Sequence, residues 1–169
     1  NQDGKRPKSI TVNLLANGII TDTKTVTADD NWTYSFTDLP KYANGQEITY
    51  TVSELTVPGY TTTIDDNYNI TNSYTPGETS ASVTKIWDDA DNQDGIRPES
   101  ITVNLFADGT KLKSQSVSAD ADGNWSYSFT DLPKYANGQE ITYTVTEDAV
   151  DGYTTESDGY NFINTHQPE

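Results

Sequence analysis

The chain repeats itself, and this repetition constrains its fold more than any other feature of the sequence. Residues 1–18 match residues 92–109 at 14 of 18 positions, and residues 31–54 match residues 124–147 at 22 of 24 positions. The two copies are offset by about ninety residues. That length suits a small sandwich domain and is too long for one turn of a solenoid. The repeat therefore predicts two similar small domains in tandem.

The two copies are not equally complete. The second copy opens with ASVTKIWDDAD at 81–91, and the first copy has no counterpart because the sequence starts at Asn1. We expect a domain at 1–76 that lacks its first strand and a complete domain at 77–169. The stretch TPGETSA at 75–81 contains Pro, Gly, Thr and Ser, which is typical of a short linker.

Each copy is predicted to be all β. Strand patterns bounded by turn residues recur about every ten residues in the second copy, at 83–87, 101–106, 113–117, 125–129, 141–147 and 160–164. Asn137-Gly138 is a strong tight-turn signal between two of them. No ten-residue window shows helical periodicity. The pattern predicts a two-sheet antiparallel β-sandwich for each repeat.

Composition and charge narrow the possible functions. The chain has 11 Tyr, 4 Phe and 3 Trp, more aromatic residues than a disordered chain carries. Its net charge of -16 disfavours nucleic acid or an anionic membrane as a partner. It contains no cysteine, which excludes disulfides, thiolate metal sites and thiol catalysis. No run is long enough to span a membrane and no signal peptide opens the chain, so we expect targeting and anchoring segments to lie outside this fragment.

Three polar residues of the second copy fall on strand faces whose other residues are apolar and are therefore predicted to be buried. Side chains alternate along a strand, so Lys85 shares a face with Val83 and Trp87. By the same parity Glu147 continues the inward series of 141–145, and Asn164 follows Phe162. Burying one such residue alone would cost several kcal/mol. We therefore expect the lysine, the glutamate and the asparagine to lie together.

Two simpler interpretations remain open on the residues alone. Each polar residue could lie at a strand end, where its side chain reaches water. Alternatively, Lys85 and Glu147 could form an ordinary ion pair, with Asn164 as a hydrogen-bonding neighbour.

The opening VTKIWDD, the block LPKYANGQEITYTVTE and the terminal YNFINT together resemble the CnaB-type repeat of Gram-positive surface adhesins and pilins. The resemblance covers the whole second copy and all of the first except its opening strand. It implies a transthyretin-like or inverse-Ig β-sandwich. It also implies a spontaneous isopeptide bond from Lys85 to Asn164, assisted by Glu147.

The chemistry of such a bond can be argued from the residue types. Amide formation needs a neutral amine to attack the Asn164 side-chain carbonyl, with ammonia as the leaving group. Burial disfavours charge, so it favours a neutral lysine and a protonated carboxylic acid. We expect Glu147 to be protonated, to hydrogen-bond the amide oxygen and to move protons to the departing ammonia. Each chain reacts once, so this is self-modification and the protein is not an enzyme.

The first copy keeps two of the three residues, Glu54 and Asn72, and has no lysine to react with them. We expect no completed bond there, and an open sheet edge that could accept a strand from another chain or fray.

Other signals are weaker. The acidic stretches 88–95 and 118–123 do not fit the EF-hand template and read as turns, although a loose calcium site stays open. His166, the single histidine, is expected near solvent. No metal site, cofactor site or catalytic triad is predicted.

We expect a structural stalk or spacer on a Gram-positive cell surface, outside the cell and associated with the wall. Its partners would be neighbouring repeats, with a host matrix protein or glycan bound through other domains. The alternative is a module that binds such a host partner directly.

Overall fold

The computed structural model describes residues 1–168 and divides into two compact units, one built from residues 3–75 and the other from Pro76 onward. The predicted all-β class is confirmed, and a single-turn 3₁₀ helix at Ala28–Asp30 is the one helical turn assigned among those residues. The strands of the first unit are β1 (Ser9–Ala16), β2 (Ile19–Thr27), β3 (Tyr42–Ala43), β4 (Gln46–Glu47), β5 (Tyr50–Glu54), β6 (Thr61–Ile64) and β7 (Ile70–Ser73). The strands of the second are β8 (Glu78–Asp88), β9 (Ile101–Ala107), β10 (Thr110–Val117), β11 (Trp125–Pro133), β12 (Tyr135–Ala136), β13 (Gln139–Glu140), β14 (Tyr143–Glu147), β15 (Thr154–Asp158) and β16 (Asn161–Thr165).

The second unit is a sandwich of a three-stranded and a four-stranded sheet. The strand orders are β10-β9-β14 and β11-β8-β16-β15, and β12 and β13 form a separate short hairpin. Asn137 and Gly138 turn this hairpin with φ values of 49° and 81°, the left-handed values that a tight Asn-Gly turn requires. The inward side chains of both sheets form one core, which includes Val83, Leu105 and Phe129.

One pairing in this sandwich is parallel. The first strand of the unit, β8, lies beside the last, β16, with Lys85 opposite Phe162 and Trp87 opposite Asn164. Parallel neighbours need a long connection between them, and here the rest of the unit supplies it. The first and last strands are therefore held side by side in the middle of the four-stranded sheet.

β8 is longer than the sequence predicted. It begins at Glu78, inside the stretch 75–81 that we read as a linker. The reason lies in β11, which runs on to Pro133 and pairs Leu132 with Thr79 across a bulge. The extra pairing extends β8 towards its N-terminal end.

The first unit has the same three-stranded sheet, in the order β2-β1-β5. Its second sheet is reduced to the pair β6-β7, and β3-β4 form a short hairpin. The segment 32–36 has almost the same sequence as the first five residues of β11 but is not assigned as a strand. Trp32 has a φ of 55°, whereas its counterpart Trp125 begins β11. Among the described residues of this unit, nothing corresponds to β8.

No helix in residues 1–168 has the length and apolar character needed to cross a membrane.

Candidate cross-linking site

Lys85, Glu147 and Asn164 lie together in the core of the second unit. Lys85 projects inward from β8, and Asn164 projects inward from the neighbouring strand β16. Glu147 comes from β14, in the opposite sheet, and reaches across the sandwich. The alternation of burial along β8 follows the predicted period, with Val83 and Lys85 buried and Ser82, Thr84 and Ile86 exposed.

All three side chains are removed from water. The side chains of Lys85 and Glu147 are both 0% exposed, and Asn164 as a residue is also 0% exposed. This burial excludes, for these residues, the interpretation that each reaches water from a strand end.

The Glu147 carboxyl group contacts both of the other side chains. Its Oε2 lies 3.6 Å from Lys85 Nζ, and its Oε1 accepts a hydrogen bond of 2.6 Å from Asn164 Nδ2. The sequence led us to expect the carboxyl group against the amide oxygen, and here it lies against the amide nitrogen. The amide nitrogen is a hydrogen-bond donor and the carboxyl oxygen is an acceptor, so this orientation of the amide gives Glu147 Oε1 a partner.

Two oxygen atoms at the site lack a hydrogen-bond partner. Asn164 Oδ1 and Glu147 Oε2 are buried and have no hydrogen-bond partner among residues 1–168. Buried polar atoms are nearly always paired in folded proteins, so two in one cluster mark a costly arrangement.

Aromatic rings surround the lysine. Trp125 and Phe162 are its cross-strand neighbours on β11 and β16, and Lys85 Nζ lies 4.2 Å from the centre of the Trp87 ring. Its Nζ donates a hydrogen bond of 3.2 Å to the backbone carbonyl of Ile86. This apolar setting lowers the pKa of Lys85 from 10.5 to about 8, against the opposing attraction of the Glu147 charge.

A second polar cluster at the end of β8 was missed by the sequence reading. Asp89 is 2% exposed, and Arg97 Nε donates a hydrogen bond of 2.9 Å to its Oδ2. The Tyr153 hydroxyl donates to the same oxygen, also at 2.9 Å. The Arg97 hydrogen bonds hold the pKa of Asp89 at about 2. Side chains alternate along a strand, so Asp89, two residues after Trp87, falls on the same inward face. From the sequence alone, Asp89 is instead assigned to an acidic turn.

The acidic stretch 118–123 and His166 both form hydrogen bonds with nearby residues of the second unit. Asp120 Oδ1 accepts hydrogen bonds from the backbone nitrogens of Asp122 and Asn124, at 2.9 and 2.8 Å, so this acidic stretch folds as a turn. His166 is less exposed than we expected, because Nε2 lies 3.1 Å from Asp94 Oδ2 and Nδ1 lies 2.9 Å from the Gly152 carbonyl. Residues 1–168 contain no group of three or more His, Cys, Asp or Glu arranged to hold a metal ion.

The first unit holds the corresponding half of the site. Asn72 Nδ2 donates a hydrogen bond of 2.8 Å to Glu54 Oε1, as Asn164 does to Glu147. The Thr62 hydroxyl lies 3.0 Å from Glu54 Oε2 and 2.6 Å from Asn72 Oδ1. A threonine hydroxyl therefore contacts the carboxylate oxygen that faces lysine in the second unit.

Comparison with known proteins finds similarity over both units. The family model described as "Cna protein B-type domain" matches residues 1–73 and 81–165. The chain is 50% identical to a collagen adhesin of Staphylococcus aureus over 174 aligned positions, which cover 99% of the chain and 14% of that protein. It also superimposes, with a TM-score of 0.88 and 49% identity, on a crystal structure of two B repeat units of the S. aureus collagen binding protein, covering 99% of the chain and 46% of that structure.

Proposed function

The chain belongs to the Cna protein B-type domain family, and from that premise we propose that it is a load-bearing repeat segment of a bacterial surface adhesin, whose second unit is closed by a bond that it forms itself. The observation that carries the proposal is the buried contact of Lys85, Glu147 and Asn164. The bond would be an amide between Lys85 Nζ and Asn164 Cγ.

The reaction balances without any cofactor. The neutral Lys85 amine attacks Asn164 Cγ, a new C–N bond forms, and the bond from Cγ to Nδ2 breaks. Nζ gives up one proton and Nδ2 takes up one, so the leaving group is ammonia. Glu147 contacts the side chain that loses the proton through Oε2 and the nitrogen that receives it through Oε1. It can therefore carry the proton from one to the other.

The surroundings favour the reactive form of the lysine. With a pKa of about 8, about one Lys85 amine in ten is neutral at pH 7, against about one in 2,500 for a free lysine. Lys85 and Asn164 also lie two positions apart in register on paired strands, so folding brings the amine and the amide close to each other.

The unpaired oxygens suggest how the attack is assisted. If the Asn164 amide turns by 180° and Glu147 takes up a proton, the carboxyl group can donate a hydrogen bond to Oδ1. That bond would pair Oδ1 and stabilise the negative charge that develops on it during attack. Forming the amide also removes the buried ammonium, and with it the cost of holding a charge in the core.

The position of the bond suits a segment under tension. Lys85 and Asn164 lie 79 positions apart on the first and last strands of the unit. A cross-link between them would pass a pulling force directly from β8 to β16, so the sheets between would carry little of it. By the loop-entropy relation for disulfides, it would also stabilise the fold by about 4.5 kcal/mol.

Peptide mapping tests the proposed bond. After digestion under denaturing conditions, we expect a branched peptide that joins the residues around Lys85 to those around Asn164, lighter by one ammonia than its two parts. Glu147→Gln keeps the shape of the side chain but cannot exchange the proton, and we expect it to yield the two peptides separately. A wild-type digest that contains only the separate peptides would refute the proposal.

Direct adhesion is the competing function, because the similar protein in S. aureus is named a collagen adhesin. The chain spans only 14% of that protein, and the buried site explains a structural role without a ligand. Immobilised collagen should therefore fail to retain this chain, whereas saturable binding by the two units alone would favour the adhesive function.

A further inference from the structure

We propose that Arg97 is a positioning residue for the amide-forming reaction, because it packs on the Trp87 ring that contacts the Lys85 amine. Asp89 holds Arg97 in place. The inference rests on the proposed function, since it concerns the rate at which the bond of the second unit forms. Its geometric part, the placement of the ring on the lysine, can be tested without the bond.

Trp87 contacts both the reactive lysine and the polar cluster at the end of β8. Lys85 Nζ lies 4.2 Å from the centre of its ring, and the guanidinium carbon of Arg97 lies 5.4 Å from the same centre. A cation at these distances from an indole is attracted by the electrons of the ring. One ring therefore contacts the nucleophile of the proposed reaction and Arg97 at the same time.

The indole nitrogen does not fix the position of this ring. Trp87 Nε1 is buried and has no hydrogen-bond partner among residues 1–168. Two other rings pack against it edge to face, Trp125 at 5.3 Å and Tyr153 at 4.9 Å between ring centres. The orientation of the indole therefore depends on aromatic packing and on Arg97.

Asp89 orients two of the groups that pack on the ring. Its carboxylate accepts hydrogen bonds from Nε and Nη2 of Arg97 and from the Tyr153 hydroxyl. Asp89 is 2% exposed, so this two-pronged pair is shielded from water, and bidentate pairs of arginine and carboxylate are among the strong hydrogen-bonded contacts. A single buried carboxylate thus places both Arg97 and Tyr153.

The loop that carries Arg97 is folded against the end of β8 by its own hydrogen bonds. The backbone nitrogen of Asn92 donates to Asp89 Oδ1 at 3.1 Å. The side-chain oxygen of Asn92 in turn accepts a hydrogen bond of 2.9 Å from the backbone nitrogen of Arg97. These bonds bring the main chain at Arg97 back towards Asp89.

Charge and positioning predict opposite results for a change at Asp89. Burial lowers the pKa of Lys85, the Asp89 charge opposes this shift, and the Arg97 charge adds to it. Replacing Asp89 by a neutral residue would therefore increase the neutral fraction of the amine and, by charge alone, speed the reaction. If Asp89 acts by holding Arg97 on the ring, the same replacement slows the reaction.

The test follows the loss of ammonia from a chain that has never folded. The full chain is made by chemical synthesis, kept in denaturant and diluted into buffers of different pH. Its rate of ammonia loss is measured by denaturing mass spectrometry after folding, which tryptophan fluorescence follows in parallel. The maximum of the pH–rate profile reports how well the groups are placed, and the position of the profile on the pH axis reports their pKa values.

Variants of the cluster should lower the maximum of this profile. For Asp89→Asn and Arg97→Gln we expect a decrease of about tenfold, within the roughly hundredfold that a displacement of 1 Å can cost. Arg97→Lys keeps the charge but not the two-pronged hydrogen bond, so it should lower the maximum nearly as much. Tyr153→Phe keeps its ring against Trp87 and loses only the hydroxyl, so we expect a smaller decrease.

A double variant tests whether Arg97 acts through the ring. Trp87→Leu should itself slow the reaction, and adding Arg97→Gln to it should have no further effect, because both changes remove the same contact. The control is Val117→Ala, a substitution in the core on β10. It should destabilise the unit and leave the maximum of the profile unchanged.

The placement of the ring can also be measured in a chain that cannot form the bond. In Asn164→Ala, the protons of Lys85 nearest to Nζ should show the upfield NMR shift that an indole ring current causes. Adding Arg97→Gln to this chain should reduce the shift.

The outcomes separate this inference from the proposed function. If the wild-type chain loses ammonia and Asp89→Asn is as fast or faster at its own maximum, positioning by Arg97 is refuted and the bond stands. Additive losses in the double variant, or an NMR shift that Arg97→Gln leaves unchanged, would also overturn it. A wild-type chain that loses no ammonia refutes the proposed function and this inference with it.

Discussion

The two units share most of their sequence, but only one of them has a closed core. In the second unit β8 brings Lys85 to Glu147 and Asn164, and all three are buried. In the first unit Glu54 and Asn72 keep their hydrogen bond but are only half-buried. One strand therefore determines whether the same pair of residues forms part of a buried core or of an open edge.

The difference also shows how far a strand depends on its neighbours. Segment 32–36 and residues 125–129 differ at one position, yet only the latter form a strand, paired with β8. Strand formation reflects pairing and packing more than the intrinsic preference of the residues. The comparison of the two units indicates that β8 is needed for the four-stranded sheet to form, in addition to supplying the lysine.

The largest expected effect comes from giving the first unit the strand it lacks. A chain extended ahead of Asn1 by the sequence of residues 78–91 should complete the four-stranded sheet of the first unit and form a second amide to Asn72. We expect it to lose two ammonias on denaturing mass spectrometry. The first unit should also be stabilised by at least the ~4.5 kcal/mol of the cross-link, measured by chemical denaturation.

The matched control is the same extended chain with Asn72→Ala. It should regain one ammonia and keep only the stabilisation that comes from packing. Equal stability of the two extended chains would contradict the contribution assigned to the bond.

The next effect comes from opening the second unit. Lys85→Met removes the nucleophile while keeping an apolar side chain of similar length, so the cross-link cannot form. We expect the free energy of unfolding of this unit to fall by about 4 kcal/mol, because the variant loses the constraint that the cross-link places on the unfolded chain. Thermal unfolding followed by tryptophan fluorescence measures the change, and the first unit should melt as before.

A smaller effect is expected at the end of β8. Asp89→Ala leaves the Arg97 guanidinium without its partner and the Tyr153 hydroxyl without its acceptor, and we expect a loss of about 2–3 kcal/mol. Because the pKa of Asp89 is lowered to about 2 in the folded state, its contribution is complete above pH 4 and is lost as the pH falls towards 2. Acid titration of wild type and variant should therefore converge at low pH.

The last effect is a pH dependence of stability that appears only when the bond is absent. In Asn164→Ala, Lys85 stays free, with a pKa of about 8 when folded and 10.5 when unfolded. The unfolded chain then binds more protons between these values, so stability should rise as the pH increases from 8 to 10.5. The double variant Lys85→Met/Asn164→Ala should show no such rise.

Much of the site could be predicted from the sequence because a strand has a fixed period of two. Parity alone placed Lys85, Glu147 and Asn164 on inward faces, and the family resemblance gave the reason for their meeting. The same rule applied further along β8 would have found Asp89. Its partners Arg97 and Tyr153 lie outside the strands, where no period applies, so their approach to Asp89 could not be predicted.

Other features depended on contacts that the sequence does not encode locally. The contact of Thr62 with Glu54 and Asn72 arises from the pairing of β6 with β7. The irregular segment 32–36 could not be anticipated either, because its counterpart in the second unit is a regular strand.

The central claim is that the second unit carries one self-formed amide and the first carries none. The most direct measurement is the intact mass of the wild-type chain under denaturing conditions. The account predicts a mass lower than that of the sequence by one ammonia, restored in full by Glu147→Gln. An unshifted wild-type mass would contradict the bond, and a loss of two ammonias would contradict the distinction between the two units.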